Sequence, residues 1–146
     1  MSSKETGLFL VKYQVGTGEP GAPTLHLSLA VNTAHRTMHG AGEITQAVNP
    51  PVDVHTRVDG TYLPILILGN PSLLVEATGM PPVHWPDRRR QGPGPVILPN
   101  FFLRMVLQSW ESGGTAYYRY QNAEGEWVEV NDAPVQKVDV LASKAS

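Results

Sequence analysis

The chain has 146 residues, with eleven Lys or Arg against thirteen Asp or Glu, a formal net charge of −2 and no cysteine. That length points to one domain, residues 1–146, and the charge balance excludes a general nucleic-acid binder. The missing cysteine excludes disulfides, thiolate zinc sites, iron–sulfur clusters and thiol catalysis.

Taken in order, the chain alternates at period two, the signature of strands with one apolar face. Phe9, Val11, Tyr13 and Val15 share a face of a first strand. Lys12 and Gln14 interrupt the apolar stretch from Leu8 to Val15, so it is not the apolar region of a signal peptide. Gly16 to Pro23 is a loop. Leu25, Leu27, Leu29 and Val31 define a second strand, and after a turn near Ala34-His35 a third runs from about Arg36 to Val48. Pairing Asn32 with Thr37 sets Leu25 opposite Ile44 and Val31 opposite Met38. Leu27 and Leu29 then face Gly42 and Gly40, and on the outer face His26 meets Glu43 and Ala30 meets His39. The two glycines mark a bend or a close approach of another element.

Val52, Val54, Thr56 and Val58 alternate with Asp53, His55, Arg57 and Asp59, and Gly60 marks a bend or bulge. Tyr62 to Leu68 is apolar at nearly every position. It predicts a strand buried on both sides, to which Pro64 is an objection, and it is too short to span a bilayer. Gly69-Asn70-Pro71-Ser72 is a turn signal, and Leu73 to Thr78 returns as a partner strand. Residues 79–99 form a Pro- and Arg-rich loop holding six prolines and Arg88-Arg89-Arg90. Loops of that length are commonly functional.

Phe101 to Trp110 and Thr115 to Gln121 are strands. Asn122-Ala123-Glu124-Gly125 reads as a type I turn with a glycine bulge, pairing Tyr120 with Trp127 and Tyr118 with Glu129. Glu126 to Val130 completes that hairpin. Pro134 introduces a last strand, Val135 to Leu141, and residues 142–146 are a frayed tail. The predicted fold is all-β: an antiparallel β-sandwich of about eight to ten strands, with a small closed β-barrel as the alternative. The sandwich is favoured because no glycine pattern recurs around a barrel.

No arrangement names a reaction, and no catalytic residue is assigned. His26, His39 and His55 are the candidate metal ligands, thinkable as one cluster if their strands adjoin. The plainer reading of His26 beside Glu43, and of the Asp53-His55-Arg57-Asp59 face, is ordinary surface pairing. His35 and His39 lie four apart but on a hairpin, where they do not converge. His84, Trp85, Arg88, Arg89 and Arg90 are the ligand-binding candidates: guanidinium offers bidentate donors to carboxylate or phosphate, and indole offers a stacking face. Tyr117, Tyr118, Tyr120 and Trp127 could form an aromatic outer face against sugar rings. Their plainer reading is strand-forming and core-edge packing.

Several stretches together carry a resemblance: Thr6-Gly7-Leu8-Phe9, Asn32-Thr33 with Arg36-Thr37, Gly42 to Pro51 (GEITQAVNPP) and His84-Trp85-Pro86. On these the chain resembles a small family of uncharacterised bacterial proteins, a domain of unknown function. The resemblance spans most of the chain. It implies a compact β-rich fold and brings no catalytic residues with it.

The expected function is a non-catalytic binding or interaction module that uses the 79–99 loop for an acidic, sugar or protein ligand and needs no cofactor. A self-assembling structural protein, a homo-oligomer, is the runner-up, and a His/carboxylate hydrolase or metal enzyme comes third. The expected setting is soluble and cytoplasmic, without a membrane span; export by a route that reads no N-terminal signal stays open.

Overall fold

A strand with alternate apolar residues has one face to bury. This chain solves that for every strand at once by turning all the apolar faces inward. The computed structural model describes residues 7–49, 51–82 and 97–138. Among them are β1 (Leu8–Val15), β2 (Thr24–Asn32), β3 (Thr37–Gln46), β4 (Val52–Ile67), β5 (Asn70–Met80), β6 (Phe101–Ser109), β7 (Gly113–Gln121) and β8 (Trp127–Lys137). Each pairs antiparallel with the next, and β8 returns to β1. The fold is all-β, and it takes the form of the closed barrel rather than the favoured sandwich.

The physical reason lies in inward-facing glycines. A Cβ on Gly40 would stand 1.8 Å from the Ser28 carbonyl oxygen, and one on Gly60 2.4 Å from that of Glu76. Neighbouring backbone occupies the side-chain space, so the sheet coils tightly at these points and its ends can meet. These glycines are unevenly spaced along the chain, so no period announces them. No bulge interrupts the pairing of Gly60 with Met38 and Ala77.

Tyr13, Tyr118, Tyr120, Phe101 and a set of Leu, Ile, Met and Val side chains fill the interior. Trp110 closes one end: its ring meets Tyr62 edge-on at 4.9 Å and Phe9 at 5.5 Å, and its carbonyl accepts a 2.7 Å hydrogen bond from the Tyr13 hydroxyl. At the other end Asn100 is the staple. Its side-chain oxygen accepts from the Thr56 hydroxyl (2.8 Å), its amide donates to the His55 carbonyl (3.1 Å), and its backbone bonds Gly79 and Gln121. No helix among the described residues is long and apolar enough to cross a membrane.

The β2–β3 register matches the prediction at every pair, from Leu25↔Ile44 to Asn32↔Thr37. Three other expectations are corrected. Tyr120 pairs with Val128 and Tyr118 with Val130, one position away from the expected register. The turn is the expected one, with Gly125 at φ 85° and its N–H on the Asn122 carbonyl. The residue its bulge inserts sets Gln121 opposite Trp127. Tyr118 and Tyr120 therefore point into the core. Second, β8 is one strand from Trp127 to Lys137, bulged where Asn131 and Asp132 (φ 55°) oppose Tyr117. Residues 139–146, which include the predicted end of that strand and the tail, lie outside the described residues.

Third, Tyr62 to Leu68 is not a strand buried on both sides. It is the far end of the 16-residue β4, continuing past the last β3 pair, Thr37↔Thr61. On β5, pairing with β6 starts only at Leu73. Ile65 to Ser72 is thus a two-stranded ribbon beyond the barrel pairing, with Leu66 72% and Leu68 97% exposed. Its turn is Leu68-Gly69, both at positive φ (50° and 82°), rather than Gly69 to Ser72. That is the conformation of a type I′ turn, in which Asn-Gly is the usual pair.

Leucine is strained in this conformation and gains no burial from it. Leu68→Asn is expected to raise stability by about 1 kcal/mol and Tm by about 2–4 °C, read by thermal melting; a lower Tm would contradict the strain. The buried phenols give a second test. Burial pushes the Tyr13, Tyr118 and Tyr120 hydroxyls up, with the neighbouring Tyr120 also raising Tyr118. Unfolded tyrosine ionises near pH 10, so their stabilisation is complete below about that pH and is lost as pH rises above it. Tm should hold steady through mildly alkaline pH and then fall, with a slope of up to about 1.4 kcal/mol per pH unit for each tyrosine. A flat profile would contradict their burial.

Candidate functional site

With apolar residues inside, polar chemistry is left to the outer wall, and strand register arranges it in rows. One row crosses five strands: His39↔Asp59↔Thr78↔Phe102↔Arg119, with Glu129 next on β8. The adjacent row is Thr61↔Glu76↔Arg104↔Tyr117. Between them an open groove of about 530 Å³ lies over β4–β7.

The groove pairs flat rings with fixed charges. Arg104 Nε donates to Glu76 Oε2 at 2.9 Å. The Arg119 guanidinium lies over the Phe102 ring (4.5 Å to the centroid) and the Trp127 ring (5.3 Å). Phe102 and Trp127 themselves stand 5.5 Å apart. This stacking holds a cation at the groove's edge without neutralising it. His39 Nδ1 is hydrogen-bonded to Asp59 Oδ1, forming a ridge at the groove's other end. Such an arrangement can take the face of a ring and the hydroxyls or carboxylate around it.

The predicted site residues fall in different places. Asp53, His55, Arg57 and Asp59 do share an outer face of β4. The three candidate metal histidines do not gather. His55 Nε2 lies 3.2 Å from Asp53 Oδ1 and 3.7 Å from Glu43 Oε2. These three side chains are the group among the described residues whose ligand atoms come within 4.8 Å of one another, all on the exposed wall. His26 faces Glu43 across β2–β3, as expected. His39 is opposite Asp59, four residues along β4 from His55, or about 13 Å at strand rise. A pleated sheet spaces its partners this way and cannot close them into one cluster. His35 stands exposed in the β2–β3 turn. Of the aromatic set, Tyr117 and Trp127 are on the outer wall, while Tyr118 and Tyr120 are inside.

His84, Trp85, Arg88, Arg89 and Arg90 lie outside the described residues. The ends of their segment are described. Gly79↔Phe101 is the last β5–β6 pair, and the next pair, Thr78↔Phe102, lines the groove. Sequence reasoning missed Phe102, Arg104, Arg119 and Glu76, which come from three strands whose pairing is invisible along the chain. It also missed Asn100, whose one signal was a polar residue directly before an apolar strand.

The fold and surface define a class: an antiparallel β-barrel with a packed interior and its polar groups outside. The family model described as "Domain of unknown function (DUF1842)" matches residues 6–127, and the chain belongs to that family. Comparison with curated proteins finds no match.

The Arg104–Glu76 pair is solvent-exposed, and pairs of this kind contribute little to stability. Glu76→Gln should leave unfolding free energy within about 0.5 kcal/mol of the parent by urea titration; a larger loss would mean the pair holds the wall together.

Proposed function

We propose that the protein is a non-catalytic binding module for an acidic sugar. Its ligand surface is the β4–β7 groove together with the Pro/Arg-rich segment that joins β5 to β6. The observation that carries this reading is the filled barrel. Aromatic and aliphatic side chains occupy the interior, while flat rings and charged side chains stand together on the wall, where recognition would fall. Rigid strands hold Phe102, Tyr117, Arg104 and Arg119 around an open groove. Rings suit the apolar face of a sugar, and guanidinium suits its carboxylate. Trp85 and Arg88-Arg89-Arg90 belong to the segment rooted at the groove's edge and supply more of the same chemistry.

The test is a titration of isotope-labelled protein with uronic-acid oligosaccharides and with their neutral counterparts. Binding of the acidic set should move the Phe102, Arg104, Tyr117 and Arg119 amides. The Arg88→Ala, Arg89→Ala, Arg90→Ala triple variant, and Arg119→Ala alone, should each weaken it by about tenfold or more while Tm stays within a degree or two. Unchanged affinity in both variants would overturn the reading.

A further inference from the structure

The projecting β4–β5 ribbon carries no charged residue from Tyr62 to Val75. Its part without flanking strands is three residue pairs, Ile65↔Ser72 to Ile67↔Asn70, about 10 Å long, and it places Leu66 and Leu68 in solvent at its tip. A leucine held at positive φ and 97% exposed contributes nothing to the fold that an asparagine would not contribute better.

The ribbon's chemistry narrows what could cover that tip. In a type I′ hairpin the pair flanking the turn, Ile67↔Asn70, exchanges hydrogen bonds, and alternate pairs beyond it do not. Pro64 and Pro71 sit at the positions whose N–H groups would point outward, one on each open edge; Tyr62, of the same parity, does send its N–H outward to Arg36. Proline there blocks a further strand from pairing along the edge. The remaining outward peptide groups of the ribbon would go unpaired in hydrocarbon, which argues against burial in a bilayer. What remains is insertion of side chains into an apolar recess.

The same molecule offers such a recess. On the outer wall of β1–β3 lies a cleft of about 280 Å³, lined almost wholly by apolar atoms. Small residues, Ser28, Ala30, Gly40 and Ala41, form its floor, and Leu10, 82% exposed, is its rim. That volume suits one or two branched aliphatic side chains. With a net charge of only −2, copies repel each other weakly.

We infer that the Leu66–Leu68 tip of one molecule seats in the β1–β3 cleft of a second copy of this chain. Tip and cleft are different surfaces, so the contact is heterologous and propagates head to tail instead of closing as a twofold dimer.

Sedimentation of the full chain over a micromolar-to-millimolar series tests this. The parent should form oligomers that lengthen with concentration. Leu68→Asn removes the more exposed of the two tip leucines, in a turn that favours asparagine. Ala41→Glu places a carboxylate in the cleft at an exposed position. Each should weaken association by about tenfold or more while Tm does not fall. Mixing the two variants is decisive: one retains an intact cleft and the other an intact tip, so the mixture should form a one-to-one dimer that neither forms alone. A parent monomeric throughout overturns the inference. So does association that survives either variant, since the tip then meets another surface, and so does cosedimentation of the parent with lipid vesicles through Leu68.

Discussion

Eight strands form a barrel only if the first can reach the last, and here that seam is short. Three residue pairs, Tyr13↔Lys137 to Val15↔Val135, join β1 to β8. Two backbone bonds extend them, Gly16 N–H to the Pro134 carbonyl and Val138 N–H to the Lys12 carbonyl, each 2.9 Å. Other features serve this closure. Gly40 and Gly60 let neighbouring backbones approach where a Cβ would collide. The bulge at Asn131-Asp132 shifts β8 against β7, so that Ala133 and Val135 face inward beside the seam. A closed sheet has no free edge along its wall, so the ribbon beyond Tyr62 carries open edges of its own, and proline stands on both.

Closure also decides where chemistry can be. A barrel of eight strands is just wide enough for side chains to fill. Tyr13, Phe101, Tyr118 and Tyr120 fill much of this one. Period-two alternation then sends every second residue outward, and register aligns those residues into cross-strand rows. The groove is therefore not a separate feature added to the fold. It arises where Thr78 is small and its neighbours Phe102, Arg104 and Tyr117 are large.

The sequence made some of this legible and hid the rest for identifiable reasons. The β2–β3 pairing could be read residue by residue because Leu25 to Val31 alternates cleanly and a short turn fixes the register. Trp127 was misplaced by one position because the expected pairing did not count the extra residue that the glycine bulge at Gly125 inserts. Tyr62 to Leu68 looked buried because an unbroken apolar run usually is. Nothing in its composition says that β3 begins only at Thr37, opposite Thr61, and leaves the run beyond without that neighbour. The choice between barrel and sandwich hung on contact between the two most distant strands, which leaves no local trace. The groove was hidden for the same reason, since its residues come from four strands.

The two outer-wall features sit on opposite sides of one boundary. His39 lines the apolar cleft, and its hydrogen-bond partner Asp59 lines the groove. A neighbour's tip seated in the cleft would lie beside this pair without covering the Phe102–Arg119 end of the groove, three strands further round. Head-to-tail growth would then leave every groove open and repeat it at a fixed interval. Open, shallow sites bind a single sugar weakly. An array of them along a polymeric acidic glycan converts each later contact into an intramolecular one, raising overall avidity without any new interaction in the individual site. On this view the packed barrel acts through its rigidity, because the filled core fixes the geometry of two surfaces, one for the ligand and one for the next copy.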